Sequence, residues 1–193
     1  MLKYVFENNG WNANDFMYVV APHSKEYKEF TQEANYIKNN FNKNTNDFDY
    51  ISLVTKEKFS SGTTVHTKCN FENYGAPLIV ITDDISPNKD GINQYGLHFE
   101  IVAYEEGCQV WHIVPYPPRV EKPIKPTLIG KSLFCIEKNS EIDIEVLIEN
   151  KKLLIKINGR SLDVEHPELP DTFHLGITAC EGICRFYAFN IKN

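Results

Sequence analysis

Three carboxylates at alternate positions, in Glu141-Ile142-Asp143-Ile144-Glu145, form the sharpest chemical pattern in the sequence. Successive side chains of an extended strand point to opposite faces, so Glu141, Asp143 and Glu145 share one face. Like charges crowded together raise one member's pKa, which lets a proton donor and an ionised carboxylate coexist near neutral pH. That is the equipment of glycoside cleavage. The residues that follow offer a competing account. With Asn150-Lys151 as a tight turn, Glu149 falls opposite Lys152, Glu145 opposite Lys156 and Asp143 opposite Asn158. On the other face Ile148, Val146 and Ile144 meet Leu153, Ile155 and Ile157. One register sorts every apolar pair to one side and every charge pair to the other, as a half-buried antiparallel ribbon requires. On this account the carboxylates belong to a solvated outer face.

A second set of candidates lies on other alternating stretches. Thr63–Phe71 sets Val65, Cys69 and Phe71 against His66, Lys68 and Asn70. Tyr95–Tyr104 sets Leu97, Phe99, Ile101 and Ala103 against His98, Glu100, Val102 and Tyr104. Cys108–Val114 carries Trp111 and His112, with Tyr116 just beyond. Glu100 beside a histidine has the makings of a general acid or base, because a neighbouring cation and partial burial tune both groups. Trp111 and Tyr116 supply flat apolar faces on which a ring can stack. The alternative for each histidine is a hydrogen-bonded structural role, and for Trp111 a place in the core. The site reading requires His66, His98 and His112 to converge on one surface. His174, Glu181 and Arg185 make a weaker group near the C-terminal strands, where an arginine more often pairs with a local carboxylate.

The elements that must position these residues are strands. Leu78–Thr82 is continuously apolar, and Asp83-Asp84 and Pro87 to Gly91 end it. Glu106-Gly107 reverses the chain, and Asn158-Gly159 supplies another tight turn because both residues tolerate positive φ. Phe173–Cys180 and Ile183–Ile191 read as a final hairpin about Glu181-Gly182. Short Val-, Ile-, Phe- and Tyr-rich runs with turn signals every ten or so residues mark a sandwich or barrel. Two regions break the rhythm. Pro115–Pro126 holds five prolines and reads as a stiff extended loop outside any sheet, with a PxxP ligand as the lesser alternative. In Ser24–Asn42 the spacing of Tyr27, Phe30, Ala34, Ile37 and Phe41 suits a helix, but six asparagines from Asn35 to Asn46 oppose one.

Three segments resemble the concanavalin A-like lectin/glucanase superfamily, the two-sheet antiparallel jelly roll of legume lectins, laminin G modules and several glycoside hydrolases. Gly96-Leu97-His98-Phe99-Glu100-Ile101-Val102 is similar to a strand of its 3-keto-disaccharide hydrolase-like branch. The hairpin from Ile144 to Asn158-Gly159 is similar to a hairpin of that branch. Phe173–Ile177 with Arg185–Ile191 is similar to its closing strands. Residues 50–193 carry the likeness, and it is one of fold more than of chemistry. It implies a single all-β jelly-roll domain over residues 1–193, with an irregular segment of about 45 N-terminal residues wrapped on it. The Glu141–Glu145 stretch also resembles the Glu-x-Asp-x-Glu strand of the laminarinase and lichenase branch. That likeness implies Glu141 as nucleophile, Asp143 as its helper and Glu145 as acid/base, although only 48 residues follow Glu145. The superfamily further implies sugars lying on a concave sheet, here lined by His66, Lys68, His98, Glu100, Trp111, His112 and Tyr116.

Composition narrows the rest. The 193 residues are 42% apolar and carry a net charge of −6, which excludes disorder and argues against nucleic acid, whose binding rests on a basic surface. No run approaches the roughly 18 apolar residues of a membrane span, and no leader peptide is visible, so a cytoplasmic protein is expected. Five scattered cysteines, Cys180 and Cys184 closest together, lack the ligand spacing of a zinc site and read as structural thiols. No cofactor is expected; the one alternative is calcium at the oxygen-rich turn of Asp83, Asp84, Asn88 and Asp90. Nucleophile-elbow, phosphate-loop and dinucleotide fingerprints are lacking. The leading expectation is a carbohydrate-binding or accessory sugar-recognition domain. A glycoside hydrolase and a scaffold that forms a homodimer through a sheet face are the alternatives.

Overall fold

A computed structural model describes residues 13–20, 51–72, 75–87, 91, 93–115, 124–180 and 183–193. After a 3-10 turn at Ala13–Asp15 the described chain is built of strands: β1 (Phe16–Val20), β2 (Ile51–Thr55), β3 (Phe59–Ser60), β4 (Thr63–Glu72), β5 (Ala76–Thr82), β6 (His98–Tyr104) and β7 (Gly107–Pro115). Then come β8 (Ile124–Leu133), β9 (Ile142–Glu149), β10 (Lys152–Ile157), β11 (Arg160–Glu165), β12 (Thr172–Cys180) and β13 (Ile183–Lys192). The larger antiparallel sheet runs β1-β2-β12-β5-β6-β7-β8, with β3 appended to β12; the smaller runs β11-β10-β9-β4-β13. No described helix is long and apolar enough to cross a membrane.

The hairpin is set by its side-chain alternation and its turn. β9 and β10 pair Glu149 with Lys152, Glu145 with Lys156 and Ile144 with Ile157. Asn150 and Lys151 adopt φ of 49° and 67°, the left-handed pair of a type I′ turn whose twist matches the strands it joins. Asn158-Gly159 repeats the geometry with φ of 49° and 79°. The Asn158 side chain also accepts a hydrogen bond from the Asp143 amide at 2.8 Å, tying this turn to the start of β9.

The main core lies between the sheets. Ile79, Ile81, Phe99, Ile101, Val110, Phe173, Leu175 and Ile177 of the large sheet pack with Val65, Cys69, Phe71, Ile142, Ile144, Val146, Ile155 and Phe189 of the small one. Burying such side chains fully contributes about 1.5–3 kcal/mol each before entropic costs. Burial pushes the Cys108 thiol up to about 12 and raises that of Cys69 as well, as expected of structural cysteines. At the sheet edges Gly130 of β8 lets β11 approach: a Cβ there would lie 2.5 Å from a Val164 methyl. A second apolar cluster covers the opposite, outer face of the large sheet. Val19, Val54, Leu78, Val80 and Val102 pack there with Tyr95 and Ile85 from the β5–β6 connection.

Three expectations are corrected. β12 and β13 are not a hairpin: β12 pairs with β2, β3 and β5, and β13 pairs with β4 in the other sheet. Phe173, His174, Leu175, Gly176 and Ile177 are buried in succession, as suits a central strand buried on both faces. Pro126 lies inside β8, opposite Ile113, because β8 is an edge strand whose outward amide needs no partner. The N-terminal segment is not wholly irregular, since Phe16–Val20 pairs with β2 along its full length. The Ser24–Asn42 stretch, the middle of the proline-rich segment and the Glu181-Gly182 turn lie outside the described residues.

Candidate functional site

Cross-strand pairing fixes the face on which each candidate projects, because directly opposed residues share a face. The candidates divide among three surfaces. His66 and Lys68 of β4 oppose Glu145 and Asp143 on the outer face of the small sheet. His98 and Glu100 of β6 oppose Ile113 and Trp111 on the outer face of the large sheet. His112 opposes Phe99 and therefore points inward, toward the core. The expected groove lined by His66, His98 and His112 together is thus corrected: these side chains do not meet. Tyr116 lies outside the described residues.

The small-sheet face is a ladder of ion pairs. Lys68 Nζ lies 2.7 Å from Glu141 Oε1, His66 Nε2 3.1 Å from Asp143 Oδ1, and Lys156 Nζ 3.4 Å from Glu145 Oε1. The hydrogen bond and charge of Glu141 hold Lys68 above its ordinary pKa. Each carboxylate thus has its own basic partner on a solvated face, where such pairs contribute little stability. Arg185 likewise pairs with Glu72 at the end of this sheet, while His174 lies on the other sheet, donating from Nδ1 to the Thr55 carbonyl at 2.9 Å. At the Asp83–Asp84 turn one carboxylate oxygen is engaged, and Asp83 Oδ1 is buried without a hydrogen-bond partner among the described residues. Asp84 Oδ1 accepts from the Ser86 amide and hydroxyl at 3.1 and 2.6 Å, and Asp83 Oδ1 packs against Gly96, where a Cβ would lie 2.2 Å away. Burial, with Asp84 adding to it, raises the Asp83 pKa. Asn88 and Asp90 lie outside the described residues.

The outer face of the large sheet holds the densest chemistry. His98 donates from Nδ1 to the Gly96 carbonyl at 3.1 Å, since a carbonyl can only accept. Its Nε2 then faces Glu100 Oε1 at 3.3 Å, with both side chains almost wholly buried. The two atoms are close but not aligned as a hydrogen bond. Tyr95 stacks on the His98 ring at a centroid distance of 4.7 Å. Beside this buried pair, toward β8, the face opens. Trp111 Nε1 donates to Gln109 Oε1 at 3.0 Å, and Gln109 Nε2 donates to the Tyr104 hydroxyl at 3.3 Å. The three side chains are only partly buried, and Leu128, opposite Trp111 on β8, is 44% exposed. With its N–H committed to Gln109, Trp111 has its ring left as an apolar plate with an amide and a phenol alongside. Glu100 is the single carboxylate in the described strands of this sheet.

Sequence reasoning missed a further cluster. His112 Nε2 lies 3.0 Å from Glu168 Oε2, and the His112 ring packs 4.2 Å from that of His166 and 4.9 Å from that of Phe99. His166 and Glu168 sit in the β11–β12 loop, positioned by His166 N–H donating to the Lys151 carbonyl and Leu169 N–H to the His166 carbonyl. Parity already pointed this way, because His112 shares its face with Cys108 and Val110, both core residues. Nothing in the sequence placed His166 beside it. Burial, reinforced by His166, lowers the His112 pKa, and burial also lowers that of His174. The unfolded chain therefore takes up protons near the ordinary histidine value of 6.5 while these folded histidines resist them. Stability is accordingly expected to fall as pH drops below about 6.5. The urea midpoint should decline between about pH 7.5 and about pH 5.5, less steeply in His174→Gln; an unchanged midpoint would contradict this account.

The sandwich is similar in fold to solved structures. With a carbohydrate-binding module, CBM66 from Bacillus subtilis, the TM-score is 0.56 at 10% identity, covering 74% of this chain and 81% of that one. With CG-16, a homodimeric agglutinin from chicken liver, it is 0.50 at 13% identity, covering 73% of this chain and 99% of that one. The chain has the concanavalin A-like jelly-roll fold. No protein-family model matches its sequence, and no curated protein is similar to it in sequence. The jelly roll is thus visible in the arrangement of strands and not in shared residues, and the two sheet faces must be read on their own chemistry.

Proposed function

We propose that this jelly roll binds carbohydrate on the outer face of its large sheet, with Trp111 as the stacking platform and Gln109 and Tyr104 as hydrogen-bonding neighbours. The observation that carries the reading is the Tyr104–Gln109–Trp111 chain, which leaves a half-buried indole plate flanked by polar groups on one open face. Sugar rings present an apolar face edged by hydroxyls, and a plate with adjacent donors and acceptors complements both features. The similarity to a carbohydrate-binding module supports the same reading. Two-carboxylate hydrolysis needs a second acid facing the same groove. Glu100 has no such companion in the described strands of its sheet, so recognition without cleavage is the function proposed.

A glycan array with the purified chain, followed by titration of the hits, tests this. Trp111→Ala should weaken binding at least tenfold. Because the indole also packs on the outer apolar cluster, Gln109→Ala, which removes a hydrogen-bonding neighbour and no core contact, should weaken binding with the urea midpoint nearly unchanged. Cleavage of any bound glycan would overturn the non-catalytic reading. Binding indifferent to Trp111 would overturn the site, and no glycan binding at all would overturn the function.

A further inference from the structure

We propose that His112, His166 and Glu168 form a binding site for a divalent transition-metal ion, zinc foremost. Their ligand atoms all lie within 4.8 Å of one another, and His112 Nε2 and Glu168 Oε2 are already 3.0 Å apart. Ligands held at zinc distances of about 2.0–2.2 Å in a tetrahedron stand about 3.3 Å from each other. Because His112 and Glu168 already stand that close, the adjustment the metal would need falls on His166. Its Nδ1 accepts from the Glu168 amide at a long 3.3 Å and would give up that contact to ligate, or the ring would turn to offer Nε2. Two imidazoles and one carboxylate are a donor set for zinc and its first-row neighbours; calcium and magnesium prefer oxygen alone.

A second observation points to a ligand independently of that proximity. His112 Nε2 is buried, on a residue only 5% exposed, and it makes no aligned hydrogen bond. A buried polar atom without an aligned partner is costly, and a metal bond would satisfy it. The frame around it is firm. The His112 ring is held by its strand and by Phe99, whose ring also packs 5.3 Å from that of His166 in an edge contact. The loop carrying His166 is pinned by main-chain bonds at both ends of its turn. Three protein ligands leave the fourth position to solvent, on the side where Glu168 is exposed. The site lies on the opposite face of β7 from Trp111, so it stands or falls apart from the carbohydrate reading.

The test is calorimetric titration of the full chain, stripped with a chelator, with Zn2+ alone, and a parallel titration with Co2+ followed by absorption. Expected are one ion per chain, a visible Co2+ spectrum without a thiolate charge-transfer band, and affinity at least tenfold weaker in both Glu168→Gln and His166→Ala. Glu168 is exposed, so its variant should unfold in chelator at the same urea midpoint as the wild type, which separates lost ligation from lost folding. Absence of binding would overturn the proposal. So would binding that survives both substitutions but disappears in Cys135→Ser, since Cys135 is an exposed free thiol.

Discussion

Replacing Glu100 with leucine should destabilise the protein by about 3–5 kcal/mol, and replacing His98 with leucine should cost a similar amount. Each single change strands a polar partner in a place that water does not reach. The two side chains are 3% and 0% exposed, and their facing atoms stand 3.3 Å apart. The Nδ1 side of the His98 ring is committed to the Gly96 carbonyl, so Nε2 and the Glu100 carboxylate are left to face each other in this buried place. Removing one residue abolishes that arrangement and leaves the other's desolvation uncompensated. The double replacement behaves differently, because two leucines extend the apolar cluster of Val80, Val102 and Tyr95 that already surrounds the pair. Its cost should fall well below the sum of the single costs, with a coupling of about 2 kcal/mol or more. Urea denaturation of the four proteins in the cycle measures this directly. Losses that simply add would show that the pair does not act as a unit.

Phe99→Ala should cost about 3–5 kcal/mol, the range for truncating a fully buried aromatic side chain. Phe99 is 0% exposed and belongs to the core between the sheets. Its loss has a second consequence. Phe99 is the ring against which both His112 and His166 rest, so the vacated space frees two imidazoles at once. The imidazole proton resonances of His112 and His166 should broaden or shift, while that of His66, on the far face of the other sheet, stays in place. Phe99→Leu, which keeps part of the volume, should lose distinctly less stability. Equal effects on all three histidines would mean that the substitution unsettles the whole fold and not this contact.

What could be read from the sequence depended on how local the determining physics is. The β9–β10 register was legible because Asn150-Lys151 sets the turn and the alternation of Ile with charged residues forbids a one-residue slip. The same alternation showed that Glu145 would face Lys156. The separation of β12 from β13 was not legible, since a two-residue connection between extended runs suits a hairpin and a sheet change equally well. What decided it was that β12 fits between β2 and β5, a fact about distant partners. Site residues followed the same rule. The parity of His98 with Glu100 was plain from spacing, and that of His112 with Cys108 and Val110 was there to be read. The proximity of His166 to His112 rests on a loop some fifty residues away, and no periodicity encodes it.

The position of β12 has a consequence for how the molecule is assembled as it is synthesised. Until residues Thr172–Cys180 have left the ribosome, β1-β2 and β5-β6-β7-β8 are separate pieces with no strand to join them. β4 likewise waits for β13, more than a hundred residues later, before its second edge is covered. At about 5–20 residues per second, these unpaired edges stay open for several seconds in every nascent chain. Shielding those edges during that interval is thus a requirement separate from the stability of the finished sandwich.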